Sequence, residues 1–199
     1  SWPHNADTWP GHLPGVERTM AEAVGALASS ELVRVNVRDA AHGYHVQKLL
    51  AGRVPPERVV LHQFPTNDAW CRDHGAIFVT RDAADGAPLL ALDFEYNAWG
   101  GKYPPYDLDN AIPGRMAGAL GIPVQHIPMV LEGGSIEVNG KGVLLTTEQC
   151  LLNENRNPAL DKATIEARLK GFFGVEQVIW LGDGIVGDDT DGHIDDLTR

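Results

Sequence analysis

One order of secondary-structure elements recurs along the chain, and that recurrence limits the folds open to it more than any single motif does. Ile77 to Thr80 and Leu89 to Phe94 predict a strand pair around a turn at Asp85-Gly86; a helix near Asp109 to Leu120 and a strand from Val124 to Val130 follow. Ser135 to Val138 and Gly142 to Thr146 predict another pair around Asn139-Gly140, the signature of a type I′ hairpin. A helix from about Pro158 to Phe172 and a strand from Val175 to Leu181 come next. A strand-strand-helix-strand unit with a period of roughly 52 to 58 residues implies a propeller-like α/β repeat, each unit burying its face against the next. Ahead of these lie an amphipathic helix over residues 14–29, a strand from Leu32 to Val37, a helix from Ala40 to Leu50 and a strand from Val59 to Phe64. Residues 29–64 match the later part of an earlier unit, so three units are visible at most. The expected modules are residues 1–64, 65–130 and 131–181, with 182–199 opening the next.

Charge narrows the partners. The 199 residues carry 16 Lys and Arg against 27 Asp and Glu, a formal charge of −11, which argues against nucleic acid because phosphate neutralisation needs an excess of cations. Hydrophobic residues at 43% and charged residues at 22% suit a globular protein with a packed core. No run of apolar residues is long enough for a transmembrane helix, and Ser1-Trp2-Pro3-His4 lacks a signal-peptide profile, so no membrane partner is expected. Cys71 and Cys150 make neither a disulfide framework nor a Cys-x-x-Cys metal pair, which predicts a reducing, cytoplasmic location. The abrupt ends predict a fragment of a longer chain.

Each unit's last strand is followed by an irregular acidic stretch: Asn67-Asp68-Ala69-Trp70-Cys71-Arg72-Asp73, Leu131-Glu132-Gly133-Gly134, and Asp188-Asp189-Thr190-Asp191-Gly192-His193-Ile194-Asp195. Loops on a rigid scaffold carry function, and units set around an axis would bring Asp73, Glu132, His193 and Asp195 together. Several carboxylates and a histidine favour a cationic ligand. A guanidinium best uses paired planar carboxylates, since it offers five N–H donors in a fixed fork. Trp70 would stack on its plane, and His193 would serve as general acid and base. Plainer readings stand beside these. Asp73 could be a salt-bridge partner, Trp70 a core residue, and Gly133-Gly134 glycines chosen for positive φ. Asp188 to Asp196 could be a solvated loop or a cation site, although its spacing departs from the calcium-loop template.

Four ordered motifs over about 130 residues carry a resemblance. Thr66-Asn67-Asp68-Ala69-Trp70-Cys71-Arg72-Asp73, Asn97-Ala98-Trp99-Gly100-Gly101-Lys102, Glu132-Gly133-Gly134-Ser135-Ile136 and Thr190-Asp191-Gly192-His193-Ile194-Asp195 resemble the agmatine deiminases of the bacterial-type peptidyl-arginine deiminase family. Trp2-Pro3-His4-Asn5, Thr147-Glu148-Gln149-Cys150-Leu151-Leu152-Asn153 and Asn155-Arg156-Asn157-Pro158 extend it over nearly the whole chain. The resemblance implies a pentein fold, a ring of five strand-strand-helix-strand modules, of which about three are present here. It implies hydrolysis of agmatine, a small guanidino substrate, to N-carbamoylputrescine and ammonia through a covalent cysteine adduct, with no cofactor and no metal. It assigns Asp73 and Asp195 to the guanidinium and Glu132 and His193 to the acid/base pair.

The family's nucleophilic cysteine lies in a Gly-rich C-terminal segment ending Ile-His-Cys, which these 199 residues lack. Cys71 falls where the family is variable and Cys150 at a scaffold position, so neither is read as the nucleophile. The alternatives are a peptidyl-arginine deiminase, an incomplete guanidinium-binding module, and a metal-dependent hydrolase using Asp188 to Asp195. An open ring would leave strand edges unpaired, so an isolated chain is expected to self-associate, and a homo-oligomer is compatible with the sequence. Trp99-Gly100-Gly101-Lys102 gains no mechanistic role from the sequence.

Overall fold

The computed structural model describes residues 1–80 and 88–198, so the turn expected at Asp85-Gly86 lies outside the described residues. The chain forms two compact units, Ser1–Cys71 with Asp107–Asp109, and Arg72–Tyr106 with Asn110–Arg199.

The first unit comprises α1 (Leu13–Ala28), β1 (Val33–Val37), α2 (Ala40–Leu50) and β2 (Val59–Gln63). β1 and β2 pair in parallel, and α2 makes the crossover, capped by Asp39, whose carboxylate accepts from His42 N at 2.8 Å. Trp2 is fully buried with Val24, Val35 and Val46. Its indole N–H donates to Glu17 at 2.9 Å, and the following His4 bridges the carbonyls of Trp2 and Thr66. The Trp-Pro-His stretch therefore anchors this unit. Asn67 accepts from the backbone of Leu108 at 2.9 Å, and Asp109 accepts from the N–H of Asn67 at 2.8 Å.

The second unit holds two three-stranded sheets. After the short α3 (Cys71–His74), β3 (Ile77–Thr80) pairs antiparallel with β4 (Leu89–Glu95). Then α4 (Asp107–Asn110), of which only Asn110 belongs to this unit, and α5 (Ile112–Leu120) lead to β5 (Val124–Val130), parallel to β4. β6 (Glu137–Val138) pairs antiparallel with β7 (Val143–Thr147); α6 (Glu148–Leu151) and α7 (Lys162–Phe173) lead to β8 (Gln177–Leu181), parallel to β7. One core joins the two sheets, with Leu92, Phe94 and Ile127 from the first packed with Leu144 and Val178 from the second and Ile165 from α7.

Three expectations need correction. The helix predicted from Asp109 to Leu120 is broken at Ala111, with Pro113 in the first turn of α5. The helix predicted from Pro158 starts at Lys162, because the Asp161 carboxylate caps it by accepting from Thr164 N at 2.8 Å. Asn139-Gly140 does not form a type I′ turn: Asn139 lacks the positive φ that turn needs, and its side chain accepts from the N–H of Lys141 and Val143 instead. Among the described residues no helix is long and apolar enough to cross a membrane.

Candidate active site

Asp73, on α3, is only 8% exposed. Each carboxylate oxygen has its own donor: Gly134 N–H donates to Oδ1 at 3.0 Å and Trp99 Nε1 donates to Oδ2 at 3.2 Å. Trp99 reaches it from an unusual turn, since Ala98, Trp99, Gly100 and Gly101 all have positive φ. That conformation costs roughly 1–2 kcal/mol at each residue with a side chain. Gly100 is needed there because a Cβ would lie 2.3 Å from the Asn155 side chain. Burial pushes Asp73 up to about 7, with the Glu132 charge adding to the rise and the Gly134 bond opposing it.

Glu132 follows β5 and is wholly buried. Arg156 Nε donates to its Oε1 at 2.6 Å, an ion pair in which both side chains are 0% exposed, while Oε2 has no hydrogen-bond partner. Burial raises the Glu132 carboxyl and outweighs the opposing pull of Arg156. Gly133 and Gly134, which follow, are not glycines for positive φ, contrary to one sequence reading. A Cβ on Gly133 would lie 2.1 Å from the Arg72 carbonyl oxygen, and one on Gly134 would lie 2.5 Å from His193 Nδ1 and 2.6 Å from Asp73 Oδ1. Only glycine permits that approach.

His193, 3% exposed, sits at the end of a loop folded around one carboxylate. Asp188 accepts from the N–H groups of Thr190, Gly192 and His193 and from the Thr190 hydroxyl. Asp191 accepts from Lys102 Nζ and Arg156 Nη1, each at 2.7 Å, and from Asn155 Nδ2 at 3.1 Å. Tyr103 also donates to Asp189. These carboxylates serve the loop, and the cation-site reading of the run loses Asp188 and Asp191 to donors already in place. Nδ1 of His193 lies 3.7 Å from Asp73 Oδ1 and 3.9 Å from Asp195 Oδ1, while its Nε2 is buried without a partner. Burial brings the imidazole down to about 4, so it rests neutral. Asp195 also faces Arg72, whose Nε is 3.5 Å from Oδ2.

Among the described residues, one group of metal-capable side chains converges: a carboxylate oxygen of Glu132, Sγ of Cys150 and a ring nitrogen of His193 lie within 4.8 Å of one another. Burial pushes the Cys150 thiol well above its ordinary value.

Asp73, Glu132, His193 and Asp195 thus converge within the second unit, as the loop argument expects. Trp70 belongs to the first unit, 38% exposed, with its ring 5.4 Å from that of Trp9. The sequence reading missed Trp99, Lys102 and Arg156. All three stand in the quoted motifs, which marked them as candidates without showing which distant residue each would reach.

The chain belongs to the Porphyromonas-type peptidyl-arginine deiminase family, whose profile matches residues 1–199. A relative from Marinomonas sp. (strain MWYL1), named "Putative agmatine deiminase", is 38% identical over 201 residues, covering 99% of this chain and 52% of its own. The solved structure titled as agmatine deiminase of Enterococcus faecalis catalyzing its reaction is 35% identical with a TM-score of 0.84, covering 97% of this chain and 52% of that one. A cysteine-to-serine variant of C. jejuni agmatine deiminase with substrate bound is 36% identical with a TM-score of 0.82, covering 94% and 53%. The mixed α/β fold is therefore that of solved deiminases, and the chain spans about half the length of the curated relatives it matches.

Proposed function

We propose that this chain is the guanidinium-binding and acid/base part of an agmatine deiminase, converting agmatine and water to N-carbamoylputrescine and ammonia. The observation that carries the reading is a cluster of three carboxylates, buried at Asp73 and Glu132 and part-exposed at Asp195, around a neutral histidine, with Glu132 Oε2 and His193 Nε2 both lacking hydrogen-bond partners. Buried polar atoms without partners are costly, and the N–H fork of a guanidinium would satisfy them. Relatives named as agmatine deiminases support the substrate class.

Asp73 and Asp195 hold the guanidinium while Glu132 accepts from its free edge. The attacking thiol is read as lying outside these residues: Cys150 is fully buried with its thiol pushed up, and Cys71 is exposed at a position where the family is variable. His193, neutral at rest, takes the thiol proton as sulfur bonds to the guanidinium carbon, then delivers it to the departing nitrogen as ammonia leaves. Water adds to the amidino carbon and gives one proton to His193; the C–S bond breaks, that proton returns to the sulfur, and the remaining hydroxyl proton passes to solvent as the urea carbonyl forms. The two sheets of the second unit are modules of the pentein ring, and 182–199 opens the next.

The test is ammonia release from agmatine and from peptides ending in arginine by the full-length protein, with Asp73→Asn and His193→Ala as controls. Turnover of agmatine that either substitution abolishes is expected. Preference for the peptide would replace the substrate with peptidyl-arginine, and binding without turnover would leave only a guanidinium-binding module.

A further inference from the structure

We propose that Glu132, Cys150 and His193 form a site for a thiophilic divalent cation such as zinc, and that filling it blocks deimination. Binding rests on the geometry alone; the inhibitory half rests on the reading of Glu132 and His193 given above. The three ligand atoms lie within 4.8 Å of one another, and all three residues are buried. Zinc takes sulfur at about 2.3 Å and nitrogen or oxygen at about 2.0–2.2 Å, and three such protein ligands leave a fourth position for water. A contraction of about 1 Å would bring the three atoms to that arrangement.

Two of the ligand residues present atoms that nothing else satisfies. Oε1 of Glu132 is held by Arg156, which leaves Oε2 without a partner; Nδ1 of His193 faces two carboxylates, which leaves Nε2 without one. An outer shell is in place as well: Arg156 orients the glutamate, and the Asp73 carboxylate stands behind the imidazole. The thiol sets the choice of ion, because sulfur favours zinc over the hard cations calcium and magnesium. On binding, Cys150 changes from S–H to metal thiolate and one proton passes to solvent, so affinity rises with pH. The ion takes up the oxygen and nitrogen that deimination needs, and it acts as an inhibitor.

The probe is cobalt(II) added to metal-free full-length protein. One equivalent is expected to give a thiolate-to-cobalt charge-transfer band that Cys150→Ser removes and Cys71→Ser retains. A band indifferent to Cys150→Ser, or no band at all, would overturn the site. Zinc X-ray absorption gives a second readout: one sulfur at about 2.3 Å that Cys150→Ser removes supports the site, and a shell without sulfur, or a sulfur that Cys150→Ser leaves in place, overturns it. Cys150→Ser is expected to keep agmatine turnover but to weaken zinc inhibition by more than about tenfold, the loss that even an outer-shell partner brings. Zinc bound through Cys150 without inhibiting turnover would overturn the inhibitory half. Absence of agmatine turnover with the cobalt band intact would count against the proposed function and leave the site standing.

Discussion

The indole N–H of Trp99 donates to Oδ2 of Asp73 across 3.2 Å, which ties the least explained of the sequence motifs to a buried carboxylate of the candidate site. Trp99→Phe keeps the ring and removes the donor. Asp73 then loses one of the two bonds that favour its ionised form, and its pKa should rise above about 7. The expected result is a stability loss of about 1–2 kcal/mol in urea unfolding and a KM for agmatine that rises more than kcat falls. An unchanged KM would show that Asp73 does not hold the substrate.

Two glycine substitutions should move in opposite directions. Gly134→Ala places a Cβ against His193 Nδ1 and Asp73 Oδ1, and the helix of the site must shift to admit it. Loss of agmatine turnover by about 100-fold is expected, the scale seen for ångström-level misplacement. Gly118→Ala, in α5, meets nothing within 4 Å and should stabilise the fold by about 0.5–1 kcal/mol. Agmatine turnover checks the first and thermal unfolding the second.

Agmatine affinity should depend on pH through Asp73. Its native pKa is raised to about 7, so the free site holds a proton there below that pH, and a guanidinium must displace it. Affinity is therefore expected to rise with pH, by up to about tenfold per unit, and to level off above 7. The stability sign is the reverse: the protonated Asp73 stabilises the native state most below the unfolded value of 3.8, and that contribution is lost as pH rises through about 7. His193, lowered to about 4, costs stability as pH falls from 6.5 toward 4. Calorimetric titration with agmatine from pH 5.5 to 8.5 tests the first statement; a flat profile would remove Asp73 from the binding step.

Arg156→Met leaves Glu132 buried without its cation and should destabilise the protein by about 3–5 kcal/mol. Adding Glu132→Gln should recover part of that loss, since the uncompensated charge goes with it. Chemical denaturation of the two variants measures the difference, and equal stabilities would mean that the pair carries no coupling.

Much of the frame is legible in the sequence. Ala40–Leu50 and Val124–Val130 match their predicted bounds, because periodic apolar residues and flanking turn residues marked them. Chemistry placed by tertiary contact was less visible. The gap at Ala111 and the late start of α7 are set by caps and a proline, which local periodicity overran. Asp73, Glu132, His193 and Asp195 could be grouped because their loops follow equivalent strands. Trp99, Lys102 and Arg156 could not, since each acts on a residue at least 24 positions away and no local pattern encodes that distance.

The close approach of Gly133 and Gly134 to residues 72 and 73 binds two segments sixty positions apart into one unit of inheritance. A larger side chain at Gly133 demands that the backbone at Arg72 retreat, one at Gly134 that the Asp73 and His193 side chains retreat, and a retreat there is useless unless the glycines also change. Descendants of this chain can drift freely at its rims, but at these four positions they must either stay as they are or cross a gap that no single substitution spans.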